Sequence, residues 1–224
     1  MPVWQSLFDD VKDHGFTVLA VAMDQPEAAR PWIEAAKTTY PCLIDCDHHL
    51  ADVYNLVNVP QAMWIDERGR IVRPPEIAGS MDAFRAMDRK TFVVPEAALE
   101  ERDHVKTEYM NAVRDWARRG PASAYVLDQT RAAAKLKLPP ETIAEAHARF
   151  RLGLHLSRHG QDDEGQALMA EATRLHPDSW AMWRQAAPKD ARGLAAGPEF
   201  WARVDALGTR PYYEPADLSV PPTR

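Results

Sequence analysis

Asn58-Val59-Pro60-Gln61-Ala62-Met63-Trp64-Ile65-Asp66-Glu67-Arg68-Gly69-Arg70-Ile71-Val72-Arg73 is the stretch whose reading decides the fold. An X-Pro step opens it. A strand follows over residues 62–65, then a polar turn at 66–69 ending on Gly69, then a second strand over 70–73. Two short apolar runs joined by a Gly-containing turn predict an antiparallel hairpin.

The residues before this hairpin alternate between helix and strand signals. Val3, Leu7, Phe8 and Val11 recur at helical spacing over residues 3–14, with Pro2 acceptable in the first turn and Gly15 closing the helix. Residues 16–23, Phe16-Thr17-Val18-Leu19-Ala20-Val21-Ala22-Met23, form a nearly continuous apolar run. That is the pattern of a strand buried on both faces of a parallel sheet. A turn at 24–26 leads to a helix over 27–38 with Ala28, Trp32 and Ala35 or Ala36 inward. A short strand over 40–44 and a short helix over 47–56 follow, the latter with Asp47 as N-cap. After the hairpin, Gly79 precedes a helix over 80–88.

From Pro95 onward only helices are signalled. Val105, Tyr109, Val113 and Trp116 mark the buried stripe of a helix over 95–119, closed by Gly120-Pro121. A helix over 123–138 is stopped by Pro139-Pro140, and others follow over 141–159, 162–176, 179–187 and 198–207. Residues 209–224 are proline-rich and irregular. The change of pattern predicts an α/β domain over residues 1–90 and an all-helical domain over 95–208, with the boundary at 89–95.

The totals exclude several classes of function. The chain has 224 residues and a formal net charge of -6, which gives no electrostatic reason to expect nucleic acid or an anionic membrane as partner. No apolar run approaches the about 20 residues needed to span a bilayer. The opening residues do not read as a leader, so a cytoplasmic location is the expectation. Cys42 and Cys46 lie four residues apart in an extended segment. Four residues of strand cover about 13 Å, whereas a disulfide needs Cα atoms within about 7 Å. Two unpaired thiols fit a reducing compartment. Cys42, Cys46, His48 and His49 match no common zinc spacing, and Asp45, Asp47 and Asp52 lack the Gly and closing Glu of a calcium loop. No metal and no cofactor are expected.

The ordered series resembles the thioredoxin-like fold, specifically the redoxin group that includes TlpA- and ResA-type thiol-disulfide oxidoreductases and the peroxiredoxins. It runs from Met1-Pro2 through the apolar run at 18–24, Tyr40-Pro41-Cys42-Leu43-Ile44-Asp45 and Leu50-Ala51-Asp52-Val53-Tyr54. It continues through residues 58–66 to Gly69-Arg70-Ile71-Val72, so that the resemblance covers residues 1–88. It implies that Pro60 is a cis-proline facing the redox cysteines, and that the backbone of Val59 pairs with an extended substrate. The alternative is an ordinary turn into a strand. The family's catalytic segment is a central strand followed by Trp-x-x-x-Cys-x-x-Cys, or by one reactive Cys at a helix start, and often by Glu-Met-Pro. A helix start favours the thiolate there. This sequence opens at Met1-Pro2, and no catalytic role carries over to Cys42 or Cys46.

The expectation is therefore an α/β thioredoxin-like domain with an incomplete central sheet, shortened at its N-terminus. The strands at 16–23 and 62–65 would otherwise have to pair directly or borrow a strand from another chain. The function implied is that of the thiol-disulfide oxidoreductase and antioxidant family, acting on protein thiols and inactive as the chain stands. The alternative is a non-catalytic scaffold that binds a protein partner through the helical domain. Oligomeric state has no signal in the sequence.

Residues 145–178 resemble one tetratricopeptide-like repeat, through Leu152-Gly153, Leu156, Gly160, Gly165, Met169, Ala172 and Pro177. The pattern departs at Arg149, where the usual residue is Trp. One repeat cannot bury its own faces, and a peptide groove takes about three. A helical cap packed on the first domain is the expected role, with a peptide-binding groove as the alternative. Trp180, Trp183, Trp201, Tyr212 and Tyr213 read as core and docking residues.

Overall fold

The structure, a computed structural model, describes residues 2–136, 139–191 and 193–219. Its first part runs α1 (Pro2–Val11), β1 (Ala20–Ala22), α2 (Pro26–Ala36), β2 (Cys42–Ile44), α3 (His49–Tyr54), β3 (Gln61–Ile65) and β4 (Ile71–Ile77). Strands β1 and β2 pair in parallel, with Val21 opposite Leu43. Strands β3 and β4 form the expected antiparallel hairpin. The two pairs are separate sheets, and among the described residues β1 has β2 as its one neighbour. This explains why the apolar run at 16–23 yields only three residues of strand: a ladder extends no further than its partner, and Leu19 is left 61% exposed.

The hairpin is longer than expected because β4 continues through two prolines. Trp64 lies opposite Arg73 and Ala62 opposite Glu76, so two steps along β3 answer three along β4. Pro74 and Pro75 have no N–H for the ladder, and the extra residue is absorbed as a bulge there. The inward face of α2 is offset by one position from the expected stripe. Ala29 is buried and Ile33 half-buried, whereas Ala28 is exposed and Trp32 is 76% exposed.

The second part is helical: α4 (Glu96–Arg119), α5 (Gln129–Lys135), α6 (Glu141–Arg158), α7 (Asp162–Leu175), α8 (Trp180–Ala186) and α9 (Pro198–Asp205). The helix expected over 80–88 is a single 3-10 turn at Ala83–Ala86. Its preceding residue, Asp82, turns its carboxylate to the N–H groups of Tyr212 and Tyr213 at 2.7 and 2.8 Å. The helix expected over 123–138 is α5 alone, capped by Asp128, whose carboxylate accepts from the Arg131 N–H. Residues 123–128 are drawn out of helical geometry by bonds to β4: the Leu127 N–H donates to the Val72 carbonyl at 3.0 Å. Residues 137–138 of that expected helix, and 220–224 of the proline-rich tail, lie outside the described residues. Residues 209–219 carry neither helix nor strand. No helix among the described residues is long and apolar enough to cross a membrane.

The main core joins both parts. Leu7, Trp64, Val72 and Ala78 pack with Tyr109, Met110, Ala112 and Val113 of α4, so this cluster draws on both sides of residues 89–95. Trp64 donates its indole N–H to the Tyr109 hydroxyl at 3.1 Å and stacks on Trp116 at 4.9 Å between ring centroids. Arg73, only 2% exposed, lies 5.2 Å from the Trp64 ring. Its guanidinium donates twice to Glu76, at 2.6 and 2.9 Å, and to the carbonyls of Tyr125 at 2.8 Å and Asp217 at 2.5 Å.

Helices α6 and α7 form an antiparallel hairpin in which Gly153 faces Gly165. A Cβ on Gly153 would lie 2.7 Å from the Gly165 carbonyl oxygen and 2.8 Å from Met169 Cγ. Helix α8 packs on α7, and its Trp180 joins Phe200, Val204 and Tyr212 in an aromatic cluster.

Two stability measurements check this packing. Gly153→Val drives a side chain into the facing backbone, and a loss of about 3 kcal/mol in urea unfolding is expected; no loss would mean that the helices are further apart. Arg73→Met strands the Glu76 carboxylate and two carbonyls, at an expected cost of about 3–5 kcal/mol. The double variant with Glu76→Gln is expected to recover part of that loss.

Candidate functional site

The segment 55–60 is built from its two ends. Helix α3 stops at Asn55, which takes a left-handed conformation at φ 47°, a geometry that Asn tolerates. At the other end the Pro60 carbonyl accepts from the Ala78 N–H at 3.0 Å, which fixes the entry into β3. Between them the Leu56 N–H donates back to the Ala51 carbonyl of α3 at 2.9 Å, and the long-range anchors come from the helical part and the tail that follows it. The Val57 carbonyl accepts from the N–H groups of Trp180 and Ala181, at 2.7 and 3.0 Å. These are among the first N–H groups of α8, which have no partner within their own helix. Asn58 is buried and donates its side-chain N–H to the Tyr212 carbonyl at 3.1 Å, while its Oδ1 accepts from the Val59 N–H at 2.9 Å. The Asn55 Oδ1 accepts from the Nε2 of both His147, at 3.2 Å, and His176, at 3.0 Å.

The Val59–Pro60 peptide bond is cis. Both residues are exposed, Val59 at 46%. The loop is thus held from behind and open in front, so it presents a fixed backbone edge and a small apolar surface.

The cysteines lie elsewhere in the chain, and neither is in a disulfide. Cys42, on β2, is half-buried with Sγ 3.2 Å from the Thr38 hydroxyl and 3.8 Å from the Tyr40 carbonyl. Cys46 is half-buried in the turn before α3, and its carbonyl accepts from Arg158. The start of α3 is taken by a carboxylate: Asp45 accepts from the N–H groups of His49 and Leu50, at 3.0 and 2.7 Å. Asp47, expected as the cap, pairs with Arg158 instead, and the hydrogen bond from that guanidinium holds its carboxyl below the usual range. The N–H groups and dipole that stabilise an anion at a helix start therefore serve Asp45 and not a thiol. His48 and His49 diverge, His48 buried 5.2 Å from the Phe150 ring and His49 exposed. Among the described residues no group of three or more His, Cys, Asp or Glu side chains is gathered to hold a metal ion.

Val59 and Pro60 were visible in the sequence through the family resemblance carried by the segments flanking the X-Pro step. Asn55, Asn58, His147 and His176 were not. The available signals were an Asn one residue past a short helix, and histidines at positions where the neighbouring helical residues are apolar.

Residues 1–73 match the model of the AhpC/TSA family, a span that runs from α1 into β4 and includes the whole 55–60 loop. No curated protein and no solved structure matches the chain. The match supports a thioredoxin-like domain of redoxin type in the first part of the chain, and a helical C-terminal region follows it.

Proposed function

We propose that the chain serves thiol-disulfide or peroxide redox chemistry as a redoxin-type domain that receives an extended polypeptide along Val59 and Pro60. The observation that carries this reading is the family match over residues 1–73, within which that loop is exposed in front and anchored behind. The chemistry of the class is attack of a thiolate on a disulfide sulfur through a mixed disulfide. We assign neither Cys42 nor Cys46 that role, because one sits on a strand beside Thr38 and the other in a turn whose helix start serves Asp45. The chain acting alone is then a binding partner of protein thiols and not a turnover catalyst, in a reducing compartment such as the cytoplasm.

A second reading, a non-catalytic scaffold that binds a protein partner through the helical region, is favoured by the close α6–α7 hairpin, read as a single tetratricopeptide-like repeat. Leu152, 49% exposed on α6, is the apolar residue such a partner would meet.

The chain is expected to show no insulin-disulfide reduction and no peroxide turnover. Turnover that disappears with Cys42→Ser would overturn the assignment. Binding of reduced, alkylated insulin B chain as an extended probe is expected to weaken with Val59→Asp and to persist with Leu152→Asp. The reverse pattern would favour the scaffold.

A further inference from the structure

We infer that His147, His176 and Asn55 form a pH-sensitive latch that holds the 55–60 loop against the helical region and releases it in mild acid. The geometry is that of one amide oxygen shared by two imidazoles. Because Asn55 Oδ1 accepts from both Nε2 atoms, both rings carry their proton on Nε2 when neutral, and their Nδ1 atoms are bare. The rings are 5.9 Å apart between centroids, and His147 and His176 are 5% and 4% exposed. Asn55 is two residues from Val57, whose carbonyl meets the start of α8, and three from Asn58, which is tied to Tyr212. What happens at Asn55 therefore bears directly on the segment that carries Val59 and Pro60.

Protonation leaves the two Nε2 donors in place. What it changes is the cost of keeping charge in this site. Burial, the larger cause, holds both imidazoles below the ordinary value of 6.5. The charged groups around them act in both directions. For His147, Asp52 of α3 opposes the shift, with Oδ1 3.9 Å from Nδ1, and Arg151 of α6 reinforces it. Asp52 is itself paired with Arg151 at 3.0 Å. For His176, the His147 ring reinforces and Asp178 opposes. From α9, Arg203 reaches the neighbouring Pro177 carbonyl. His48, also buried, borders the same small void as His147 and lies among Asp24, Asp45, Asp47 and Arg158. A group whose value is depressed in the closed form takes up its proton first in the open form. The latch is therefore at full strength above about pH 6.5 and weakens as pH falls below it. Two imidazolium ions at this separation also repel each other.

The latch does not depend on the redox reading, and its test reads the loop and not an activity. Amide hydrogen exchange of the full chain is measured at about pH 7.5 and about pH 5.5, and converted to protection factors so that the chemical rate cancels. In the wild type, residues 55–61 are expected to lose protection at the lower pH while Tyr109 to Val113 of α4 keep theirs. In His147→Gln with His176→Gln, which retains an N–H donor and cannot titrate, the loop is expected to be insensitive to pH. Unchanged wild-type protection, or an equal loss in the double variant, overturns the latch. A loss in the double variant that vanishes only with His48→Gln assigns the sensitivity elsewhere and also overturns it. Should the double variant not fold, imidazole titration of the wild type by NMR decides: midpoints for His147 and His176 below 6.5 support the latch, and a midpoint at or above 6.5 for both overturns it.

Discussion

A charged guanidinium buried beneath an indole is the constraint around which this chain is arranged. Arg73 loses its hydration almost completely, which is tolerable only where every direction of the fork meets an acceptor. Glu76, three residues along the same bulged strand, supplies a bidentate carboxylate, and two main-chain carbonyls, of Tyr125 and Asp217, supply the rest. Those carbonyls lie 52 and 144 residues away in sequence. One side chain therefore ties the hairpin, the segment before α5 and the C-terminal tail into a single arrangement. The face of Trp64 closes the site above it, and Trp64 in turn is fixed by Tyr109 and Trp116 of α4. Burial holds the Tyr109 hydroxyl well above its ordinary pKa, so it stays a neutral partner for the indole.

This arrangement makes the helical region part of the support of the 55–60 loop and not an appendage to it. In front, the Val59–Pro60 edge is open. Behind it stand the start of α8, the Tyr212 carbonyl and the two histidines of the α6–α7 hairpin. A loop of six residues has enough conformational freedom that presenting one fixed backbone edge needs several anchors, at about 1–2 kcal/mol of ordering per residue. Here the anchors on Asn55 and Asn58 are supplied from positions more than 90 residues away.

The sequence made the local features legible and the long-range ones not. The hairpin could be read because its turn residues and apolar runs are contiguous, and Val59-Pro60 could be singled out because an ordered series of local segments around it carries the resemblance. The failures have tertiary causes. Residues 123–128 leave the expected helix as a turn at 124–125 and an irregular stretch, held by β4 and Arg73. Residues 80–88 give up a helix because Asp82 binds the backbone of Tyr212 and Tyr213. The strand at 16–23 is cut to three residues by the length of its one partner. The inward face of α2 lies one position from the stripe its spacing predicts, since Ala29 and Ile33 turn inward and Trp32 stands in solvent. The histidines on α6 and at the end of α7 could not be paired with Asn55, since nothing local marks a contact across 92 or 121 residues.

Stability is accordingly uneven across the molecule. A two-stranded sheet is marginal by itself and needs cover. The β3–β4 hairpin has it, from Leu7 of α1 and the aromatic stripe of α4. The β1–β2 pair has much less: Leu19 and Leu43 are 61% and 52% exposed, and Trp32 on the adjacent α2 is largely in solvent. The 55–60 loop lies between these two regimes, leaving α3 on the weakly covered side and entering β3 on the strongly covered one. Its attachment to the helical region runs through hydrogen bonds and buried imidazoles, and not through the Arg73 core. Opening of the loop can therefore occur without loss of that core, because the two rest on different groups and local openings need only the free energy of their own contacts. A shift in solution conditions that acts on imidazoles would reach the loop while the arginine, which stays charged at all relevant pH values, keeps the hairpin closed.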